Sequence, residues 1–307
     1  MKKAYCVFSD FSSEAKDVLI ANDIEFTVNP FQTLPNEEEL MALLKEYDIL
    51  ILGVRSKLIA DMLKFVETPK VIATLSIGVD HIDKAFFTSP LIKIVNIQTA
   101  NIVSVAEHIF SLLLALNKRL YESNYLVLAG QGEKSAIHER PEDISNKILG
   151  VIGAGNITRE VIKIAKIFNM KILCYTRHEE NHIDLKKYVE FTTLNKLLKE
   201  SDIINVSIPL TNETRYLISK DSIHLMKPTA TFINTSRAEV VDINALIAYA
   251  DKYDTFYVGL DIDVDNYKDL LSTYRKNVII TPHIAGVSKQ ALERMDIELA
   301  NRIIELS

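Results

Sequence analysis

At 307 residues, with 48% hydrophobic and 25% charged side chains, the chain is long enough for two globular domains and carries no long disordered tract. A formal net charge of −6 excludes a partner held mainly by phosphate-backbone electrostatics, so no nucleic-acid partner is expected. Cys6 and Cys174 each sit inside an apolar strand-like run, which reads as two buried free thiols in a reducing compartment.

The N-terminal "MKKAYCVFSDFSSE" passes into acidic residues without the apolar length or cleavage site of a signal peptide. From there β-branched or aromatic runs alternate with helix-period segments: "AYCVFS", "SSEAKDVLIAN", "EFTVN", "NEEELMALLKEY" and "DILILG", then "KVIATLS" and "KIVNIQ". This is the βαβ rhythm of a parallel sheet, and its continuous apolar runs are those of strands covered on both faces. "NEEEL" reads as the charged first turn of a helix. One long helix is predicted from about Asn101 to Leu120. Its stretch "IVSVAEHIFSLLLALNKRL" holds Glu107 and His108 and is too short to cross a bilayer, so no membrane partner and a cytoplasmic location are expected. Residues 121–146 read as helix and irregular connection.

A second series follows: "KILGVIG", "MKILCYT", "DIINVSI", "ATFINTS", "TFYVGLDI" and "NVIITPH", with helical segments between them. Six strands with intervening helices match a doubly wound nucleotide-binding sheet, and a last helix, "SKQALERMDIELANRIIEL", lies beyond it. The chain stops soon after that helix, so no appended regulatory domain is expected.

The segment "ILGVIGAGNITREVIKIAKIF" has the strand, glycine loop and helix order that a dinucleotide requires. Gly153 permits the tight turn, Gly155 lets backbone N–H groups approach a pyrophosphate, and the helix beginning near Asn156 and Ile157 points its positive end there. Two departures stand out. The third glycine of the pattern is Thr158, whose place governs packing and not phosphate contact. After the next strand, where an acidic residue would take the ribose 2′-hydroxyl, stand Thr176, Arg177 and His178. A guanidinium suits a 2′-phosphate, so of NAD and NADP the leaning is NADP. The other reading leaves Arg177 in solvent, with Glu179 or Glu180 turned back onto the ribose.

Four more segments make the pattern specific: "GVDHID" (78–83), "NIVSVAEHIFSLLLAL" (101–116), "PLTNETRYLI" (209–218) with "MKPTATFINTSRAEVVD" (226–242), and "TPHIAG" (281–286). With the glycine loop, this ordered set resembles the D-isomer-specific 2-hydroxyacid dehydrogenase family over nearly the whole chain. The resemblance implies an α/β fold of two doubly wound parallel-sheet domains with the active site in the cleft between them. A Rossmann dinucleotide-binding domain, 97–284, would be inserted in a flavodoxin-like substrate domain formed by 1–96 and 285–307. It also implies a homodimer joined through the segment near 101–140, and hydride transfer between NAD(P)H and a small 2-oxoacid or D-2-hydroxyacid. Glyoxylate and hydroxypyruvate are the first choice of substrate, with a D-3-phosphoglycerate dehydrogenase as the alternative. From another class stands a non-catalytic, NAD(H)-sensing protein like the co-repressors that resemble this family.

Residue by residue, the resemblance makes His283 the acid/base and Arg237 the cation that binds the substrate carboxylate and polarises the carbonyl. Arg55 and the backbone near Ile77 and Gly78 fall on the substrate side. Gly153, Gly155, Asn156, Ile157, Thr235, Ser236, Asp261 and Gly286 take cofactor positions, Pro209 and Thr214 shape the adenine side, and Val105 lies behind the nicotinamide. The family's Glu partner of the His falls on Asn266, with Asp265 one residue away. Ala238 and Glu239 replace two usual glycines and put a negative side chain at the rim, which disfavours a phosphorylated substrate unless Glu239 faces solvent. No metal is expected: His178 and His182 are four apart but lack a third ligand, and His81, His108, His138 and His224 have no ligand-spaced partners, His108 falling on a family position as a structural residue.

A carboxylate partner raises a histidine's pKa and an amide does not. Asn266→Glu should therefore move the pH limb of the reduction rate upward; a limb that stays in place removes Asn266 as the partner of the acid/base.

Overall fold

The computed structural model describes residues 1–132 and 140–306; His138 lies outside the described residues. Contacts divide the chain into two units, 1–101 with 287–307, and 102–286. Both are parallel-sheet α/β structures, as the strand and helix rhythm predicts.

The first unit holds β1 (Lys2–Cys6), β2 (Ile24–Val28), β3 (Ile49–Leu52), β4 (Lys70–Thr74) and β5 (Ile92–Asn96) in the order β2-β1-β3-β4-β5. This is the flavodoxin-like order. Side chains alternate between two cores. Ile49 and Ile51 pack with Ala15, Leu19, Met295 and Leu299 on one face, while Leu50 and Leu52 pack with Leu40, Leu44, Met62 and Phe86 on the other. The helix Glu37–Glu46 begins as "NEEEL" predicts. Asn36 accepts from the Glu39 amide, the Glu39 carboxylate accepts from the Asn36 amide, and three glutamates occupy the first turn.

The boundaries fall a few residues later than the sequence indicates. Ile97 and Ala100 are buried in the first core, and the amides of Gln98, Thr99 and Ala100 donate to Glu298 on the last helix, Lys289–Leu306. Ala285 instead packs in the second unit.

The second unit carries β6 (Ile148–Ile152), β7 (Lys171–Tyr175), β8 (Glu190–Phe191), β9 (Ile203–Val206), β10 (Thr231–Asn234), β11 (Tyr257–Asp261) and β12 (Val278–Thr281). All are parallel, in the order β12-β11-β10-β9-β6-β7-β8. The reversal between β6 and β9 is the switch point of a doubly wound sheet. β8, two residues long, is a seventh strand that the hydrophobic pattern misses because it is too short to show a period. The predicted long helix is Ile102–Asn117, and the helical part of the following connection is Leu120–Leu128; Arg119 between them has a left-handed φ of 53°, and its guanidinium pairs with Glu122.

Asp296 ties the last helix to the first. It is 4% exposed, and its Oδ2 accepts from the amide of Ser12 at 2.8 Å, the residue that caps the helix Ser13–Ile20. Burial pushes its carboxyl up to about 6, with Asp10 adding and Ser12 and Lys16 opposing. The folded protein thus holds a proton that the unfolded chain loses near pH 4, so stability falls as pH rises from about 4 to about 6 by roughly 2 to 3 kcal/mol. Asp296→Asn should exceed the wild type in melting temperature above pH 6 and converge on it below pH 4; equal melting curves at both pH values would refute the raised carboxyl.

Candidate active site

At the switch point, β6 ends in the loop Gly153-Ala154-Gly155 and the helix Asn156–Ile167 begins. Gly153 has a φ of 107°, and a Cβ there would lie 2.3 Å from the carbonyl oxygen of Ser207 in the loop after β9. Only glycine fits. A Cβ on Gly155 would meet nothing within 4 Å, so the open side of the loop and the first turn of the helix face free space. Gly155 and Asn156 are exposed and Ile157 is half-buried. That is the cradle a pyrophosphate requires.

Thr158 does more than take up the space of a glycine. It is fully buried, and its Oγ1–H donates to the carbonyl of Gly153 at 2.9 Å. In a trans peptide the carbonyl and the next amide point in opposite directions, so turning the Gly153 carbonyl onto Thr158 turns the Ala154 N–H away from it. The hydroxyl braces the loop from inside. The Gly153 amide is itself held by the carbonyl of Tyr175 at 2.8 Å.

Along the same sheet edge, Arg237 follows β10, Asp261 ends β11 and His283 follows β12. Asn234 pairs in register with Leu260, and Asp261 with Thr281, so the three loops leave neighbouring strands at one level. Asn234, fully buried, builds the Arg237 turn. Its Oδ1 accepts from the amide and hydroxyl of Ser236, and its Nδ2 donates to the Arg237 carbonyl at 2.9 Å. Thr235 is 9% exposed, and Arg237 donates from Nη1 to the Ser236 carbonyl.

Asp261, which the sequence places on the cofactor side, holds the His283 loop. It is fully buried and accepts from the amides of Ile284 and Ala285, both at 2.8 Å, and from the Thr281 hydroxyl at 2.6 Å. Because Thr281 spends its proton on Asp261, its oxygen accepts from His108 Nε2 at 2.9 Å, which fixes the imidazole tautomer. His283 has a φ of 58°, a left-handed conformation that the two anchored amides after it maintain. His108 and Asn234 thus belong to the site's frame: His108 falls on a family position as a structural residue, and Asn234 lies in the segment 226–242 with no role assigned to it from sequence.

Asn266 is exposed, and Asp265 pairs with Lys268 at 2.7 Å with its side chain 71% exposed. Val105 is buried on the helix Ile102–Asn117 and Gly286 is half-buried. Thr214 braces the loop after β9: its hydroxyl donates to the Pro209 carbonyl at 2.6 Å and accepts from the Thr211 amide at 2.7 Å. At the end of β7, Thr176 is half-buried, Arg177 lies 3.6 Å from Glu213, and His178 is 3.2 Å from Glu180. Glu179 lies 3.2 Å from Lys186. The backbone of His182 is non-helical, so His178 and His182 are not on one helical face, and among the described residues no group of three or more His, Cys, Asp or Glu could hold a metal.

In the first unit, Arg55 is exposed after β3, and Ile77 and Gly78 follow β4. A directed chain stands behind that loop. His81 Nε2 donates to Thr74 Oγ1, Thr74 to Ser76 Oγ, and Ser76 to the Gly78 carbonyl at 2.6 Å. Asn96 holds the Ile77 carbonyl at 2.8 Å. With both carbonyls turned inward, the amides of Gly78 and Val79 point the opposite way.

A model of the family described as D-isomer specific 2-hydroxyacid dehydrogenase, NAD binding domain, matches residues 110–285. The hydroxypyruvate reductase of Thermotoga maritima is 35% identical over 275 residues, covering 88% of both chains. The glyoxylate reductase of Thermococcus litoralis is 33% identical over 276 residues, 88% of this chain and 83% of that one. Among solved structures, an acyclic imino acid reductase (Bsp5) in complex with NADPH and D-Arg superposes with a TM-score of 0.86 at 30% identity, covering 99% of this chain and 96% of that one.

The Thr158 brace has a direct test. Thr158→Val keeps the shape and deletes the hydroxyl, leaving a buried carbonyl short of a partner at about 1 to 2 kcal/mol. Dinucleotide dissociation constants should rise about five- to thirtyfold, and Thr158→Ser should restore them. Unchanged affinity in the valine variant would show that the bond only packs the helix.

Proposed function

The chain belongs to the D-isomer specific 2-hydroxyacid dehydrogenases, and from that premise we propose that it reduces glyoxylate or hydroxypyruvate to the corresponding 2-hydroxyacid, of D configuration where the product has a stereocentre. It is an oxidoreductase that uses a nicotinamide cofactor. The observation that carries the finer reading is the sheet edge on which the Arg237 turn and the His283 loop are both held rigidly, next to a glycine loop that fits a dinucleotide.

The nicotinamide supplies a hydride for the carbonyl carbon. In this reading Gly153, Gly155, Asn156 and Ile157 hold the pyrophosphate, Pro209 and Thr214 border the adenine, and Thr176, Arg177 and His178 meet the ribose. Val105, Thr235, Ser236 and Gly286 line the nicotinamide end, where Asp261 also acts by positioning. Arg237 binds the substrate carboxylate through two parallel charge-assisted bonds and polarises the carbonyl. His283 in its protonated form gives the proton to the carbonyl oxygen; in the reverse direction its neutral form takes it back. Arg55 and the amides beside Ile77 and Gly78 are assigned to the substrate. At the family's Glu position Asn266 would orient the histidine without adding a charge, and Asp265, one residue away, pairs at the surface with Lys268. Glu239, in the turn Ala238–Val240 that follows Arg237, opposes a dianionic substrate, which favours an unphosphorylated 2-oxoacid over phosphoglycerate.

Arg177 supports NADP as the preferred cofactor. A homodimer is supported by the helix Leu120–Leu128, which buries no residue in this chain and leaves Tyr121, Tyr125, Val127 and Leu128 exposed. A cytoplasmic location is part of the same reading.

Purified protein with NADH or NADPH should oxidise the nucleotide when given glyoxylate or hydroxypyruvate, with Arg177→Asp shifting the preference toward NADH. Nucleotide binding without oxidation across a panel of 2-oxoacids would sink the enzymatic reading in favour of a nucleotide sensor.

A further inference from the structure

The carboxylate missing after β7 has a counterpart from elsewhere in the chain. Glu213, in the loop after β9, places Oε2 3.6 Å from Nη1 of Arg177. This loop is braced: Thr214 ties its two ends together, and the Thr211 hydroxyl donates to Glu213 Oε2 at 2.8 Å. The Thr211 hydroxyl, the Glu213 backbone amide and Arg177 together hold the Glu213 carboxyl below its ordinary value, so it is an anion at neutral pH. The neighbouring charges are committed among themselves: Arg159 with Asp184, His178 with Glu180, and Lys186 with Glu179. Arg177 and Glu213 are thus a cation and an anion facing each other at the strand end where a ribose 2′-position is read.

We propose that Glu213 is a specificity-determining residue that competes with a 2′-phosphate for Arg177 and limits the preference for NADPH over NADH. This rests on the dinucleotide reading above. Both side chains are at least half exposed, so their pairing is weak and a phosphate dianion, which accepts two parallel bonds from a guanidinium, displaces it. Glu213 does not leave when displaced, because Thr211 and the braced turn keep it beside Arg177. Its repulsion then cancels part of what Arg177 contributes. NADH, which brings no phosphate to this point, neither breaks the pair nor meets the repulsion.

The test is the ratio of NADPH to NADH affinity, measured by nucleotide fluorescence on the full chain at constant ionic strength. Glu213→Gln should shift the ratio about three- to tenfold toward NADPH, and Arg177→Ala about tenfold toward NADH. Both positions are exposed, so folding is preserved, and melting curves check it. A ratio unchanged by Glu213→Gln, or one moved toward NADH as the loss of a ribose acceptor would do, overturns the proposal while leaving the dinucleotide reading intact. Absence of binding of either nucleotide to the wild type overturns the dinucleotide reading itself.

Discussion

A parallel sheet covered on both faces leaves a chain only one place for chemistry. In the second unit every strand runs the same way, and the flanking helices bury both faces of β6, β9 and β10. Polar groups that are to meet a ligand are therefore confined to the edge where the strands end. Gly153, Ser207, Asn234, Asp261 and Thr281 all lie at or just beyond those ends. What distinguishes this molecule is how firmly that edge is held.

The holding is done by buried and half-buried polar side chains whose hydrogen bonds go to the protein's own loops. Thr158 turns the Gly153 peptide, Asn234 builds the Arg237 turn, and Asp261 anchors two amides after His283 with Thr281 and His108 behind it. In the first unit His81, Thr74 and Ser76 do the same for the loop at Ile77 and Gly78. Losing one member of a pair would leave the other short of a hydrogen bond, so these networks resist rearrangement. Rigidity is what hydride and proton transfer to one small carbonyl require.

Much of this was legible in the residues. The alternation of apolar runs and helical periods predicts two parallel sheets, "NEEEL" predicts a capped first turn, and the glycine loop in its strand-and-helix context predicts the cradle at the switch point. Less legible was an element without a period of its own, the two-residue β8. Domain edges were also blurred, because Ile97 and Ala100 look like the start of the next unit until their burial against the first core is seen.

The chain order of motifs by itself determined the family, the fold and the residue types offered at the sheet edge, since those depend on local spacing and on which side chains follow which strand. The tertiary structure alone decided who holds whom. Thr158 reads as a departure from a glycine pattern and becomes a brace, and Asp261 reads as a cofactor neighbour and becomes the anchor of the histidine loop. Glu213 is 36 residues beyond Arg177 in the chain, yet stands 3.6 Å from it. Hydrogen bonds and ion pairs act over a few ångströms of space, and no periodicity along a sequence records which distant side chains folding will bring within that range.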